Sequence, residues 1–372
     1  MRYDKRKIGD LVTLRQGFAI NKKTKHHISE EPTVLHLLRI GDMKDGTFSI
    51  YVKDTIPDKF IAKENDIIYT RTGQVGLVFR NQHGVVHNNC FTVTTNDDDV
   101  LLQEFLYYVL QEKAFYEEAN SRATGAAQPD LPHGAFNSIK IFLPPVEKQK
   151  RITDILNTYD QLIKNNQKQI KLLEEAAQRL YKEWFVDLRF PGYENCIIVD
   201  GVPEGWHKAK VTDFLEVKYG KDHKALADGN IPVYGSGGVM RYVKPILYSG
   251  ESVLIPRKGS LNNILLVSGD FWTIDTMFFS IPKLENVAKY TYLFLKGLDM
   301  YSFNIGAAVP SMTVKILEEI DILHPTDTVL EQFERITSPI FEMKTILERQ
   351  IKEAEQARDR LLPKLMTGEL EV

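Results

Sequence analysis

The sequence predicts an α+β fold with two mixed α/β domains separated by a long antiparallel two-helix coiled coil, arranged as a pseudo-twofold tandem repeat. Two observations lead to this prediction. Short motifs recur 181 residues apart, and two long stretches carry apolar residues at alternating spacings of four and three, which is the pattern of a coiled coil. The predicted segments are the first domain at 1–145, the central helix at 146–187, the second domain at 188–326, and the C-terminal helix and tail at 327–372.

The repeat is clearest near the end of each domain. Residues 125–131 read Gly-Ala-Ala-Gln-Pro-Asp-Leu, and residues 306–312 read Gly-Ala-Ala-Val-Pro-Ser-Met. Near the start of each domain, residues 7–11 resemble residues 210–214 at the different offset of 203. The domain bodies therefore differ in length and content while their ends match. Two copies of one scaffold with different surfaces indicate two similar tasks on two different targets.

Each domain also contains a predicted β-hairpin whose turn reads Arg-x-Gly. The first hairpin spans 66–79 with Arg71 in its turn, and the second spans 253–267 with Arg257. Each hairpin therefore presents a cation at its tip. Predicted helices follow near 101–118 and 287–300, and prolines 144, 145 and 325 mark the starts of the long helices.

The two long helices are predicted from their apolar seams. The central seam holds residues 152, 156, 159, 163, 170, 173, 177, 180 and 184, with Asn166 in its one gap. The C-terminal seam holds residues 336, 340, 343, 347, 350, 354, 357 and 361, and the helix stops at Pro363. Asn166 and Gln350 are then polar seam residues that fix the register of the pair. The alternative is that each helix packs on its own domain.

The composition is that of an ordinary globular protein, with 43% hydrophobic and 26% charged residues. No apolar run approaches the roughly 18–20 residues that span a bilayer, and the charged residues 1–7 predict no secretory signal. Cys90 and Cys196 match no metal or disulfide pattern, so a reducing cytoplasm is expected. The net charge of −3 does not indicate nucleic acid, but residues 1–25 hold eight lysines and arginines against two aspartates, a balance of +6.

Further motifs give the chain a family resemblance. They are Leu-Pro-Pro-x-Glu-x-Gln-x-x-Ile at 143–152, Trp-Phe-Val-Asp at 184–187, Val-Pro-Glu-Gly-Trp at 202–206, and Arg-Leu-Leu-Pro-Lys-Leu-Met-Thr-Gly-Glu-Leu at 360–370. In this order, and over the whole chain, they resemble the specificity (S) subunit of Type I restriction–modification enzymes. Two departures occur in the second copy, where Val309 replaces Gln128 and Leu-His-Pro-Thr at 323–326 replaces the Pro-Pro segment.

The resemblance implies that each domain is a target-recognition domain for double-stranded DNA and that the chain itself is not catalytic. It implies two DNA adenine methyltransferase subunits docked at the coiled-coil region, joined by restriction (motor–nuclease) subunits, in a bacterial or archaeal cytoplasm and without a membrane. S-adenosylmethionine, ATP and Mg²⁺ would belong to those partners, with no cofactor on this chain. Because the two domains differ, the target is expected to be bipartite and non-palindromic. The coiled coil, roughly 60 Å long for about 42 residues, would set the gap between the half-sites.

The motifs of the expected catalytic partners are missing here. An adenine methyltransferase should carry Asn/Asp-Pro-Pro-aromatic, but Pro144-Pro145 stands between Leu143 and Val146. Residues 235–238 are rich in glycine without the G-x-G-x-x-G spacing, and no phosphate-binding G-x-x-x-x-G-K-[ST] loop occurs. The residues therefore favour a binding subunit over an enzyme.

Two other hypotheses are kept. Glu204, Glu216 and Lys218 could form the site of a Mg²⁺-dependent nuclease, and a coiled-coil adaptor without DNA specificity is the structural alternative. The histidines at 26, 27, 83 and 87 lack the spacing of metal ligands. No catalytic or metal-binding residue is therefore predicted.

Candidate DNA-contacting residues are donors and amides on predicted loops. Arginine pairs with guanine and amides pair with adenine, whereas lysine and small polar groups contact phosphates. In the first domain the candidates are Asn21, Lys22, Lys23, Arg71, Thr72, Gln74, Arg80 and Asn81. In the second domain they are Tyr219, Lys221, Lys224, Ser236, Arg257, Lys258 and Asn262.

Two aromatic residues are candidates for contact with a partner subunit. Trp184 and Phe185 lie at the end of the predicted central helix, where large apolar side chains can anchor an interface with a methyltransferase. The alternative, held equally, is that they close the second domain.

Overall fold

The computed structural model describes residues 3–306 and 308–372. Arg2, from the basic N-terminal stretch, and Ala307, from the second Gly-Ala-Ala motif, lie outside the described residues. The chain divides into a first unit, residues 3–165 with 350–372, and a second unit, residues 166–349. The division of the chain into the four predicted segments stays a prediction.

The first unit combines short strands with four short helices among its described residues. The strands are β1 (Asp4–Lys7), β2 (Val12–Gln16), β3 (Ile28–Ser29), β4 (Leu35–Leu38), β5 (Tyr51–Val52), β6 (Ile61–Ala62), β7 (Ile67–Thr70), β8 (Val78–Phe79), β9 (Gly84–Val86), β10 (Cys90–Thr95) and β11 (Lys140–Leu143). The helices are α1 (Ile40–Asp45), α2 (Gln103–Gln111), α3 (Lys113–Arg122) and α4 (His133–Asn137). A long helix, α5 (Val146–Tyr181), follows and continues into the second unit.

A four-stranded antiparallel sheet in the order β2-β10-β7-β8 carries the core of the first unit. Tyr69 and Phe91 on its central strands are fully buried and pack against Phe136 of α4, with ring centroids 5.1 and 5.0 Å away. A second sheet, β3-β5-β4-β9-β6, includes the parallel pair β4–β9, and β1 pairs with β11. The predicted hairpin at 66–79 is confirmed, because Ile68 lies opposite Phe79 in antiparallel register.

The second unit repeats this plan. Its strands are β12 (Ile198–Val199), β13 (Val202–Pro203), β14 (His207–Lys210), β15 (Leu215–Tyr219), β16 (Asp228–Gly235), β17 (Gly238–Val243), β18 (Tyr248–Ser249), β19 (Ser252–Pro256), β20 (Leu265–Val267), β21 (Asp270–Thr273), β22 (Met277–Pro282) and β23 (Asp321–His324). The helices are α6 (Val211–Phe214), α7 (Ala288–Lys296), α8 (Val314–Glu319) and the long α9 (Asp327–Thr367), which ends in the first unit.

The sheet order shows the duplication directly. The order β15-β22-β19-β20 in the second unit matches β2-β10-β7-β8 in the first, and β14–β23 matches β1–β11. The remaining sheets diverge, with β17-β16-β21-β18 in the second unit against five strands in the first. The predicted tandem repeat is therefore confirmed, and the divergence lies in the domain bodies, as the changing offset indicated.

Two predicted short helices need correction. The helix predicted near 101–118 is two helices, because Glu112 adopts an extended backbone with ψ of 135° between α2 and α3. This break allows Phe115 and Ala119 of α3 to join the same buried core as α2. The helix predicted near 287–300 ends at Lys296, where Gly297 follows.

The central seam is confirmed. Each of its predicted positions is buried or half-buried, and Asn166 is 2% exposed. After Tyr181 a single π-helical turn, Lys182–Val186, completes the helix. Within the first unit, Ile152 and Leu156 share a core with Leu362 and Leu365 of α9.

The pairing of α5 with α9 is antiparallel within each unit. In the first unit, Leu156 of α5 shares a core with Leu362 of α9. Asp160, four residues after Leu156, binds Arg358, four residues before Leu362. In the second unit Glu174 binds Lys344 at 2.6 Å, while Tyr181 contacts Phe333. In both units the residue numbers of α5 increase in the direction in which those of α9 decrease. The predicted coiled coil is therefore present.

The predicted C-terminal seam is wrong at three of its eight positions, whereas the remaining five, including Ala357, are buried or half-buried. Ile336 and Met343 are 41% and 46% exposed, and Gln350 is also exposed. The positions that face inward are 330, 333, 337, 340, 344, 347, 351, 354, 358, 361 and 365. This heptad includes the polar residues Thr337, Lys344 and Arg358. The apolar residues Ile336 and Met343 were therefore predicted in place of their inward polar neighbours, and Gln350 was predicted in place of Ile351.

The predicted helix end at Pro363 is also wrong. The helix α9 continues through Pro363 to Thr367, whose hydroxyl donates to the Pro363 carbonyl at 2.9 Å. A proline inside a helix costs about 3 kcal/mol. Burial of Leu362, Leu365 and Met366 in the core of the first unit, worth about 1.5–3 kcal/mol for each side chain, offsets that cost.

Candidate nucleic-acid interface

In the first unit the Arg-x-Gly turn binds the repeated Gly-Ala-Ala motif. The Gly73 N–H donates to the Pro129 carbonyl at 2.8 Å, and the Leu131 N–H donates to the Arg71 carbonyl at 2.9 Å. A third segment supports the turn, since the Arg71 N–H donates to the Asn89 carbonyl at 2.8 Å. The two motifs that the sequence repeats are therefore partners of each other, a contact that no local sequence pattern indicates.

The second unit reproduces this backbone arrangement. The Gly259 N–H donates to the Pro310 carbonyl at 2.9 Å, and the Met312 N–H donates to the Arg257 carbonyl at 2.8 Å. The Arg257 N–H donates to the Thr276 carbonyl at 2.8 Å. Gly73 and Gly259 have φ of +86° and +85°, a conformation that glycine adopts without strain. The third position of both turns therefore requires glycine.

Strand register identifies a further pair of equivalent residues beside the two turns. Gln16 at the end of β2 lies opposite Phe91, and Tyr219 at the end of β15 lies opposite Phe278. We define the first tip cluster as Gln16, Arg71, Thr72, Asn89 and Asp130. The second tip cluster is Tyr219, Arg257, Lys258, Thr276 and Ser311.

In the first tip cluster the arginine is held by an acid. Arg71 donates from Nε to Asp130 Oδ1 at 3.2 Å and from Nη2 to Oδ2 at 2.6 Å. Its Nη1 donates to Gln16 Oε1 at 3.0 Å, and the Thr72 hydroxyl donates to Asp130 Oδ1 at 2.5 Å. The hydrogen bond from Arg71 holds the pKa of Asp130 below its usual range. The positive charge of this hairpin tip is therefore locally compensated.

In the second tip cluster the arginine has different partners. The Arg257 guanidinium lies over the Tyr219 ring, 5.4 Å from its centroid, a cation–π contact. Its Nη1 donates to the Asp275 carbonyl at 3.1 Å. Ser311 occupies the position of Asp130, and both form an isolated bridge to the middle residue of the turn. This tip keeps its positive charge.

The other candidates of the first domain lie in two places. Asn21, Lys22 and Lys23 are exposed in the loop after β2, where the Asn21 side chain accepts the Lys23 N–H at 2.9 Å. Gln74 is exposed beside the tip, and its carbonyl accepts the Thr70 hydroxyl. DNA contact by these residues stays a prediction.

Arg80 has a structural partner that the sequence did not reveal. Its guanidinium lies 4.0 Å from the centroid of the Tyr107 ring and donates to Asp160 of α5 at 2.9 Å. Asn81 follows in a left-handed conformation with φ of 56°. The structure therefore joins Arg80 to the long helix and not to the first tip cluster.

The remaining candidates of the second domain also lie partly at the tip and partly elsewhere. Ser236 lies beside the turn, since a side chain on Gly259 would meet its hydroxyl at 3.0 Å. Asn262 is used locally, because its side chain accepts the Met300 N–H at 2.7 Å. Lys221 and Lys224 are exposed on the loop after Tyr219. The structure thus brings Tyr219, Ser236, Arg257 and Lys258 together.

Trp184 and Phe185 are buried in the core of the second unit. Trp184 packs on Phe333, and Phe185 lies 4.6 Å from the Tyr290 ring centroid. This geometry matches the interpretation that the two residues close the second domain. Their neighbour Val186 is 61% exposed. It lines an apolar groove of about 760 Å³ with Tyr181, Phe185, Tyr290, Phe294 and Leu298.

The three residues of the hypothetical nuclease site lie in two separate segments. Glu216 and Lys218 lie on β15 and bind each other at 2.5 Å. Glu204 lies in an exposed turn that Gly205 completes with φ of +83°. Within residues 3–306 and 308–372, no group of three or more His, Cys, Asp or Glu side chains is arranged to hold a metal ion. Over the same residues, no helix is both long and apolar enough to cross a membrane.

Comparison with known proteins identifies the family. Residues 2–175 and 203–356 match the Type I restriction modification DNA specificity domain. The chain belongs to this family. Its membership confirms the resemblance found in the sequence, and it makes the chain a DNA-specificity component and not a catalytic one.

Relatives and a solved structure agree with this assignment. The MjaIX specificity subunit of Methanocaldococcus jannaschii is 26% identical, over 84% of this chain and 79% of the relative. The MjaVIII specificity subunit of the same organism is 24% identical, over 98% and 92%. The crystal structure of the S subunit from M. genitalium has the same fold, with a TM-score of 0.61, 18% identity, and coverage of 98% and 96%.

Proposed function

We propose that the chain is the DNA-binding specificity subunit of a Type I restriction–modification complex and recognises a bipartite, non-palindromic target. The observation that carries this proposal is the pair of tip clusters. The same backbone hydrogen bonds hold both hairpin turns, while the side chains at equivalent positions differ. A shared frame with different chemistry is what two domains need to select two different base sequences.

The side chains that differ lie at the tips that we propose contact the bases. Gln16 is replaced by Tyr219, and Asp130 by Ser311. These exchanges alter the charge and the donor pattern of the tip without altering its backbone. Because the first and second half-sites meet different groups, they should differ in sequence, and a palindrome is not expected.

We also propose the partners. Relatives of similar length are specificity subunits of Type I restriction enzymes, so two DNA adenine methyltransferase subunits and restriction subunits would bind this chain in a bacterial or archaeal cytoplasm. S-adenosylmethionine, ATP and Mg²⁺ would be held by those subunits. The exposed Val186 and the adjoining apolar groove offer a methyltransferase a contact beside Trp184 and Phe185, since apolar anchors dominate interface energies.

Selection from a pool of randomised duplexes tests the proposed function. The chain, purified with its methyltransferase subunits, should enrich duplexes with two defined halves separated by a constant gap. Binding to the enriched duplex should weaken steeply with salt, because phosphate contacts release counterions. Enrichment of no motif, with no salt-dependent affinity for DNA, would support the coiled-coil adaptor instead.

A further inference from the structure

The two tip arginines differ in the edge of the guanidinium that is occupied. In Arg71 the Nε–Nη2 edge donates to both oxygens of Asp130, at 3.2 and 2.6 Å. Among the hydrogen bonds within the described part of the chain, the Arg257 guanidinium uses only Nη1, which donates to the Asp275 carbonyl at 3.1 Å. No carboxylate of residues 3–306 or 308–372 lies within ion-pair distance of Arg257. Its Nε–Nη2 edge therefore lacks an acidic acceptor.

Arg257 is nevertheless fixed in position. Its backbone N–H and carbonyl are both bonded, to Thr276 and Met312. Its guanidinium rests on the Tyr219 ring, and Tyr219 is 54% exposed. A side chain that is ordered before binding loses little conformational entropy when it binds. The Nε and Nη2 donors of Arg257 are therefore open, and the guanidinium is already oriented at the hairpin tip.

We propose that Arg257 recognises a guanine in the half-site of the second unit through its Nε–Nη2 edge, whereas Arg71 is a positioning residue. This inference rests on the proposed function. The O6 and N7 atoms of guanine offer two acceptors to an arginine fork, as a carboxylate does. Asp130 therefore occupies in the first unit the place that guanine takes in the second, and Ser311 leaves that place open.

The residue at position 130 or 311 then selects the chemistry of its hairpin. An acid there satisfies the arginine and leaves base contacts to neutral neighbours such as Gln74, whose side chain is exposed. A serine there has no charge, and its side chain is too short to accept hydrogen bonds from both Nε and Nη2 of the arginine. The exchange of one residue changes which base the tip prefers while the backbone hydrogen bonds stay the same.

The test compares three variants of the full chain in complex with its methyltransferase subunits. Arg257→Gln removes the fork, and Ser311→Asp keeps Arg257 but supplies the acid found in the first unit. Lys258→Gln is the matched control, because it removes one positive charge from the same turn. Each complex is used in duplex selection, and unfolding curves check that every variant is folded.

For Arg257→Gln we expect the preference for guanine at one position of the second half-site to fall roughly 5- to 150-fold, with the first half-site unchanged. Ser311→Asp should give the same loss at the same position. Lys258→Gln should weaken binding evenly across sequences and reduce the salt slope by about one.

Two results would overturn the inference while the wild type still selects a bipartite motif. One is an unchanged base preference in both Arg257→Gln and Ser311→Asp. The other is an even loss in Arg257→Gln like that of Lys258→Gln, which would assign Arg257 to a phosphate. A wild-type complex that selects no bipartite motif would instead overturn the proposed function itself.

Discussion

Arg358 of α9 donates to Asp160 of α5 at 2.9 Å, and the same carboxyl group also accepts hydrogen bonds from Arg80 and from the Tyr108 hydroxyl. The Asp160 side chain is only 17% exposed. One acid therefore ties both long helices to α2 and to the segment after β8 within the first unit. Two arginines share it, so its removal leaves Arg358 with Asp359 and Arg80 with Asn157 as their remaining side-chain acceptors.

We expect Asp160→Ala to lower the free energy of unfolding by about 2–4 kcal/mol, because Arg80, Arg358 and the Tyr108 hydroxyl all lose one largely buried charged acceptor. Urea denaturation measures this change. Asp154→Ala, at an exposed acid on the same helix, is the control and should cost less than about 0.5 kcal/mol. Equal effects of the two substitutions would show that Asp160 is an ordinary surface acid.

The register of α9 gives a second prediction. Leu347 is 4% exposed in the seam, whereas Met343 is 46% exposed beside it. Leu347→Ala should therefore lower the free energy of unfolding by about 2–4 kcal/mol, and Met343→Ala should cost less than about 0.5 kcal/mol. Chemical denaturation of both variants decides between the two registers. Because Leu347 belongs to both seams, a cost of about 2–4 kcal/mol for Met343→Ala as well would restore the seam predicted from the sequence.

The error in that seam shows what the sequence could not reveal. Lys344 and Arg358 occupy inward positions because Glu174 and Asp160 receive them, and those acids lie more than 150 residues earlier in the chain. A pattern search within one helix treats such cations as surface residues. The central seam contains one polar residue, Asn166, and was predicted correctly from its apolar residues alone.

The candidate site was likewise predicted only in part. The repeat, the two hairpins and their arginines follow from local sequence. That each Arg-x-Gly turn binds the Gly-Ala-Ala motif depends on contacts such as Gly73 with Pro129, which join residues far apart in the chain and leave no local sequence signal. Arg80 was predicted as a DNA contact because it lies in a loop, and its structural partner Asp160 is 80 residues away.

A third prediction concerns pH and the first tip cluster. Arg71 lowers the pKa of Asp130 in the folded chain. The stabilisation is therefore present above the ordinary aspartate pKa of about 4 and is lost as the pH falls through the lower folded value. Asp130→Asn should cost about 1 kcal/mol or less near pH 7, because both side chains are partly exposed.

Urea denaturation of the wild type and Asp130→Asn across a pH series measures this effect. The difference in unfolding free energy should stay constant from about pH 6 to pH 8 and should shrink below about pH 4. A difference that persists unchanged at the lowest pH would mean that the charge of Asp130 does not contribute.

The end of α5 provides a fourth prediction. Trp184→Ala should lower the free energy of unfolding by about 3–5 kcal/mol, because it opens a cavity among buried aromatic rings. Val186→Asp, at the exposed neighbouring position, should change stability by less than about 0.5 kcal/mol but should reduce copurification with the methyltransferase subunit. Stability is measured by denaturation and binding by affinity capture. Full capture of Val186→Asp would place the partner elsewhere.

If the chain is a specificity subunit as proposed, it directs methylation to a bipartite DNA target. Strand-resolved mapping of methylated adenines, in cells that carry the chain with its methyltransferase and in cells that lack only the chain, tests it most directly. We expect a methylated motif with two different halves and a constant gap, which disappears when the chain is absent. Methylation that is unchanged without the chain, from an active methyltransferase, would contradict it.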